Sequence, residues 1–525
     1  MTPFQQLSSV LVALCVASTT SVAAQSSVVF TLPPGPYVVG FRAVEQYDAT
    51  RTFGDAFDDE GRTTPARRPR PIQTSIWYPA SPGEPQPRMM YREYVDLYSR
   101  PGTMPAHDAR GKAENERLFL GGFSVDSDKV NRELNARTRA ARDAMPARGS
   151  FPIIVYGPSL GAPSFENDVL MEYLASHGYI VVASPSWGPN GAMTADGGGM
   201  ETQARDMEFL MDYARRLPSA DSTRIAVMGF SWGGISNALI AMRNSAPKAL
   251  VSLDGSIAYF YHRSSTPQTT MDFSKQAFVD PAKFTIPALF LRQGPSPEML
   301  RVLGPDTTFA FFDSLRYADA YSVKLRTMRH QNFGAWFNRF QTGTGIAFIQ
   351  DPSVSNPGYE RIAKYTLAFL DGYLKQSADG LAFLARSPAE NGFPATEVSI
   401  ERKRAKRPLP TIGDFANATA ARGLAHAPET LAEIRRNDPT YTLPEMALTA
   451  WGRRLMRAGR LPDAIGVLKV DAVLYPTSLN VHDVLGEAYD RHGDTALAIE
   501  AYEKAVVLDP TNTRIVERLR RLKGG

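Results

Sequence analysis

Short, largely apolar runs and helix-period segments alternate through the middle of the chain. Phe151–Tyr156, Tyr179–Ala183, Ile225–Met228, Ala249–Leu253 and Pro287–Leu291 are each bounded by Gly, Pro or charged residues. Runs of this kind, apolar on both sides of the pleat, predict strands covered on both faces. Tyr321–Thr327 alternates and predicts one more strand. Between the runs, Met171–His177 and Ile235–Met242 carry helical spacing, the first stopped by Gly178. Strands alternating with helices predict an α/β domain with a mostly parallel central sheet. A polar, Arg-rich stretch, Leu97–Ser150, interrupts the pattern. Its central part, Asp126–Asp143, has helix-like composition, and residues 98–150 form a candidate lid insertion.

The most informative junction is Gly229-Phe230-Ser231-Trp232-Gly233-Gly234, between the strand ending at Met228 and the helix from Ile235. A serine flanked by glycines between strand and helix is the context of a nucleophile elbow. The turn lifts the hydroxyl above the sheet edge. The next amide, Trp232, lies at a helix N-terminus, where developing negative charge is stabilised.

A serine hydroxyl needs a base, and the base needs an orienting acid. In this layout the chain order is Ser, then Asp or Glu, then His. Two of the seven histidines, His262 and His330, follow Ser231 within the α/β region. His262 sits in an aromatic loop. His330, in Met328-Arg329-His330-Gln331-Asn332-Phe333, follows a late strand, where the base is expected. For the acid, Asp254 closes the strand after the nucleophile helix and points toward the ligand crevice. The next strand ends in Arg292-Gln293-Gly294, and the first carboxylate beyond it is Glu298.

These residues together resemble the plasma-type platelet-activating-factor acetylhydrolases. The resemblance rests on Gly-x-Ser-x-Gly-Gly, an Asp 23 residues after the Ser, and His-Gln-Asn-Phe, and runs from about Gly35 to Leu374. It implies an α/β-hydrolase fold and hydrolysis of short or oxidised acyl esters of phospholipids. Ser231 would be nucleophile, His330 base and Asp254 its orienting acid, with no metal or organic cofactor. The family carries Ser-His-Gly-Leu-Gly-Ala after an early strand, whereas this chain has Gly157-Pro158-Ser159-Leu160-Gly161-Ala162. Leu160 falls where the second oxyanion amide belongs, paired with Trp232. Pro158 lacks an N–H and fixes its own φ, so the path of this loop is in question. Amide, peptide or polyester bonds would suit the same triad, and a binding protein with a vestigial hydrolase domain is the alternative from another class.

The C-terminal hundred residues repeat. With Glu445 and Leu479 as starts, Trp451-Gly452 matches Leu485-Gly486, Ala464 matches Ala498, and Pro476 matches Pro510, a period of 34. This resembles tetratricopeptide repeats, helix–turn–helix units closed by small residues. Pro428–Asn437 and Thr513–Leu522 are expected to add capping helices. The module offers a groove for a protein partner or packs as an appendage. The expected organisation is residues 1–24 as signal peptide, 25–385 as α/β-hydrolase domain, 386–425 as linker and 426–525 as an all-α tetratricopeptide-repeat module.

Net charge is +4 with basic residues scattered, which gives nucleic-acid binding no support. The one dense basic run, Arg402–Arg407, reads as solvated linker. Val10–Ala17 is a short apolar core followed by Val22-Ala23-Ala24, an export-signal pattern too short to span a bilayer. Cleavage after Ala24 would remove Cys15, the only cysteine, which suits a bacterial periplasmic or secreted location without disulfides.

Overall fold

The computed structural model describes residues 26–54, 62, 68–83, 87–123, 126–261, 272–276, 278–295, 300, 308–340, 351–406 and 410–524. The expected signal peptide, His262 and Glu298 lie outside them. The chain divides into two compact units between Lys406 and Arg407.

Among the described residues, the first unit is built on one sheet of eleven strands. In chain order they are β1 (Val38–Phe53), β2 (Arg68–Ala80), β3 (Arg88–Met90), β4 (Arg137–Arg142), β5 (Phe151–Gly157), β6 (Ile180–Ala183), β7 (Ala220–Phe230), β8 (Pro247–Leu253), β9 (Ala288–Gln293), β10 (Ala320–Leu325) and β11 (Val398–Lys403). Their order across the sheet is β11-β10-β9-β8-β7-β5-β6-β2-β1-β4-β3. The ladders joining β6, β5, β7, β8, β9 and β10 are all parallel. Helices α1 (Asp168–Ser176) and α4 (Pro352–Leu374) cover one face, packing Leu170, Leu174, Ile362 and Phe369 on Val181, Met228 and Val251. Helices α2 (Gly197–Ala214) and α3 (Trp232–Arg243) cover the other, packing Leu210, Ile235 and Leu239 on Val155, Val227 and Leu250. Cover on both sides is why the central strands are apolar on both faces along most of their length. The chain leaves β5 for β6 on one side and returns to β7 on the other. The loops after β5 and β7 therefore flank the point where the strand order reverses, the place where open α/β sheets bind ligands.

Two stretches depart from the sequence expectation. Helical structure in the insertion ends at Leu134, and Arg137–Arg142 is strand β4. It pairs parallel with β1 and antiparallel with β3. Thr138, Ala140 and Ala141 are buried while Arg137 and Arg142 are exposed, so arginines that resemble a solvated helix face stand at the two ends of a strand. Within the expected linker, Val398–Lys403 is strand β11, antiparallel to β10. Val398 is buried and Ile400 packs beside it on the core. The basic residues of this stretch are spent on carbonyls: Lys403 Nζ donates to Phe312 O (2.9 Å) and Asp313 O (2.7 Å), and Arg402 Nε donates to Leu384 O (2.7 Å).

Arg70 on β2 is buried at 2 % exposure and ties the sheet to the loop before α2. Its Nε and Nη2 each donate to Asp206 at 2.6 Å. Nη1 donates to Gly188 O and Nη2 to Trp187 O, fastening the start of a glycine-rich loop. Arg51 also reaches Asp206, at 2.8 Å. Arg70→Ala leaves a buried carboxylate half-compensated and two carbonyls without donors. The expected loss is about 3–5 kcal/mol. It should appear as a lower urea midpoint at unchanged m-value; an unaltered midpoint would show that the pair does not hold this region.

Among the described residues, the regular structure of the second unit is all helical. Helices α5 (Glu445–Arg457), α6 (Leu461–Leu474), α7 (Leu479–His492) and α8 (Thr495–Leu508) form two hairpins, with further helices at Ala427–Asn437 and Thr513–Leu522. The repeated glycines mark close crossings: a Cβ on Gly452 would meet Leu468 at 2.5 Å, and one on Gly486 would meet Tyr502 at 2.8 Å.

Candidate active site

Ser231 caps α3 with φ +53° and ψ −115°, a conformation that costs a non-glycine residue of order 1–3 kcal/mol. The surrounding bonds hold it there. Ser231 N–H donates to Leu253 O (3.1 Å), and Ser231 O accepts from Gly234 N–H (3.0 Å) and Ser256 N–H (2.8 Å). Gly233 is required by close approach: a Cβ there would stand 1.9 Å from Gly157 O at the end of β5.

His330 Nε2 lies 2.9 Å from Ser231 Oγ, and its Nδ1 lies 2.6 Å from Asp254 Oδ2. The three residues come from the ends of β7, β8 and the segment after β10. A carboxylate can only accept at Nδ1, so that nitrogen carries the proton and Nε2 is left to accept from the serine hydroxyl. Asp254 is completely buried. Its other oxygen, Oδ1, accepts from Tyr259 OH (2.6 Å) and from Gln293 N–H (2.9 Å). Burial and the neighbouring Asp254 charge raise the Tyr259 phenol well above its ordinary value, so it remains a donor. Gln293 closes β9, one strand beyond β8. There the chain supplies a backbone donor to Asp254 and not a carboxylate of its own.

The residues after His330 explain how the imidazole is held. His330–Phe333 is one turn of 3₁₀ helix. Asn332 is buried, its Oδ1 accepting from Arg329 N–H (3.2 Å) and its Nδ2 donating to Asn338 Oδ1 (2.8 Å). Phe333 is fully buried, and the Phe230 ring lies 5.1 Å from the imidazole.

Trp232 is the first residue of α3, so its N–H has no acceptor within the helix. Leu160 stands in a turn closed by Ala162 N–H to Ser159 O (3.1 Å), and its side chain is 46 % exposed. The turn is brought against the start of α3: Pro158 O lies 3.0 Å from the Cβ position of Gly233. Gln203 on α2 fixes this contact from below. Its Nε2 donates to Pro158 O (2.7 Å), and its Oε1 accepts from Ser236 Oγ on α3 (2.8 Å). Tyr259, Gln203 and the buried Glu166 were not singled out by sequence. No local pattern marks a glutamine or a glutamate whose partners lie on other elements, although Tyr259 follows Asp254 by only five residues.

Residues 71–278 match the family model described as X-Pro dipeptidyl-peptidase (S15 family). That span contains Ser231 and Asp254, and a match to an α/β-hydrolase family supports a serine hydrolase. Residues 480–512 match the tetratricopeptide repeat, in agreement with the helical hairpins of the second unit. No curated protein matches the chain. Among solved structures, a ferulic acid esterase from Streptomyces cinnamoneus is similar at 18 % identity and a TM-score of 0.48, over 71 % of this chain and 98 % of that one.

Proposed function

We propose that this protein is an exported serine hydrolase that cleaves carboxylic esters through an acyl-enzyme, acting on short-chain acyl or phospholipid-type esters. The observation that carries the reading is the continuous relay from Asp254 through His330 to Ser231 Oγ, with contacts of 2.6 and 2.9 Å. His330 takes the Ser231 proton as Oγ attacks the ester carbonyl, and Asp254 stabilises the imidazolium that forms. The Trp232 and Leu160 amides receive the oxyanion. His330 then returns the proton to the leaving alcohol, and water enters to release the acid. The acetylhydrolase-like substrate class rests on the motif resemblance. Export rests on the small-residue stretch before Gln25; among the described residues no helix is long and apolar enough to cross a membrane. The repeats offer a surface for a protein partner.

A second reading, peptide-bond hydrolysis, is favoured by the match to a dipeptidyl-peptidase family model. The two are separated by one experiment. Purified protein and its Ser231→Ala variant are assayed on p-nitrophenyl esters from acetate to palmitate and on Xaa-Pro p-nitroanilides. Ser231-dependent turnover confined to short esters supports the first reading. Turnover of the anilides with inert esters replaces it with the second.

A further inference from the structure

The loop after β5 contains Pro158 and Ser159 where the resembled family has His and Gly, and the structure shows what the serine does. Ser159 N–H donates to Glu166 Oε1 at 2.7 Å, and Ser159 Oγ–H donates to Glu166 Oε2 at 2.6 Å. Tyr156 OH adds a third donor to Oε1 at 2.7 Å. One carboxylate therefore holds both hydrogens of the residue immediately before Leu160. The peptide unit joining Ser159 to Leu160 is planar, and its N–H points opposite to its C=O. That C=O, Ser159 O, is engaged by Ala162 N–H. With Ser159 clamped on its N-terminal side by Glu166 and on its C-terminal side by Ala162, the direction of the Leu160 N–H is set.

Glu166 is also joined to the base. Its backbone O accepts from Trp336 N–H (3.0 Å). Its neighbour Asn167 accepts at Oδ1 from Ala335 N–H (3.0 Å) and Tyr359 OH (2.9 Å), and donates from Nδ2 to Tyr156 OH (2.7 Å). Ala335 and Trp336 follow the His330 turn directly. Residues 166–167 thus connect the loop carrying one expected oxyanion donor to the segment carrying His330.

We infer that Glu166 is a positioning residue for acyl transfer, whose ionised carboxylate holds Ser159 so that the Leu160 amide faces the oxyanion. This rests on the serine-hydrolase reading above. The ionised form suits this site. All three groups around the carboxylate present hydrogens, and the Ser159 amide cannot reverse its role. A proton on Glu166 turns Ser159 Oγ or Tyr156 OH from donor to acceptor and removes the charge that strengthens the hold on Ser159. Burial pushes the carboxyl up to about 7, against the pull of the Ser159 and Tyr156 hydrogen bonds. The titratable groups facing it are Tyr156 from β5 and Tyr359 from α4, both raised by burial and therefore neutral donors. Asp168, the next carboxylate along the chain, is occupied by Arg339 (2.7 Å).

The test is the pH dependence of kcat/KM on a short p-nitrophenyl ester for wild type, Glu166→Gln and Ser159→Ala. In the wild type the Glu166 carboxyl must lose its proton for the loop to be held, so the acid limb should be steeper than in Glu166→Gln by one unit of limiting slope. Glu166→Gln should reduce kcat roughly 10- to 100-fold with KM within about twofold, since the oxyanion contact exists only in the transition state. Its acid limb should be shallower than that of the wild type. Ser159→Ala keeps the carboxylate but removes one of its donors, so its acid limb should move to higher pH. This measurement also serves if Glu166→Gln does not fold. An unchanged kcat and slope in Glu166→Gln, or an unmoved limb in Ser159→Ala, overturns the role of Glu166 while leaving the Ser231 chemistry in place. A wild type inert on every ester would overturn the underlying reading and this inference with it.

Discussion

Ser231→Ala should lower kcat/KM for esters by about 10⁴- to 10⁶-fold, with the thermal unfolding midpoint close to that of the wild type. The removed oxygen is the atom that would attack the carbonyl, and His330 Nε2 at 2.9 Å has no other described acceptor or donor role. The fold should tolerate the change because Ser231 is anchored by its backbone, through Leu253, Gly234 and Ser256, and not by its hydroxyl. Ser231→Gly refines the prediction. With φ at +53° the serine backbone is strained, and glycine relieves that strain while raising the entropy of the unfolded chain. Stability should therefore stay level or rise by about 1 kcal/mol, although activity is lost as in the alanine variant. Residual ester hydrolysis within tenfold of wild type in either variant would remove Ser231 from the mechanism. A marked drop in unfolding midpoint would mean that the hydroxyl is structural.

The parts of this site that could be read from sequence are those encoded locally. Ser231 sits between a strand and a helix, both visible from their apolar pattern, and two glycines record how closely β5 approaches. Asp254 ends an apolar run, and His330 opens a short motif whose Asn332 and Phe333 are buried to hold the turn. What escaped reading depends on contacts made at long range. Glu166 looks like any polar residue between a turn and a helix, and only the fold shows that both its oxygens are occupied by Ser159 and Tyr156. Gln203 lies on an amphipathic helix and acts through Pro158 and Ser236 on two other elements. Strand β11 was masked by charge. Arg402 and Lys403 suggest solvent, but both donate to backbone carbonyls while Val398 and Ile400 meet the core. Strand β4 was hidden in the same way among arginines and small residues, because its exposed ends carry Arg137 and Arg142 while only Thr138, Ala140 and Ala141 are buried.

Asp254→Asn should cost about 10⁴-fold in kcat at neutral pH while leaving substrate binding nearly intact. The size follows from how the carboxylate is held. Oδ1 faces two donors, Tyr259 OH and Gln293 N–H, and the backbone donor cannot turn away. The asparagine must therefore place its carbonyl oxygen at the Oδ1 position, since its amide nitrogen there would oppose a fixed N–H. That directs the –NH₂ toward His330 Nδ1, now 2.6 Å from the group it faces in the wild type. Two donors cannot share that contact, so Nδ1 gives up its proton and becomes the acceptor. The proton moves to Nε2, which then presents a hydrogen to Ser231 Oγ and cannot remove one. Geometry is preserved and the tautomer is wrong. Tyr259→Phe sharpens the test, because it removes one of the two donors but keeps the Gln293 N–H. In the Tyr259→Phe background the amide remains locked by Gln293, and Asp254→Asn should still be strongly impaired. Recovery of near wild-type kcat in that double variant would show that Tyr259, and not the Gln293 backbone, fixes the orientation. Near wild-type kcat in Asp254→Asn alone would require the acid to be supplied by another residue.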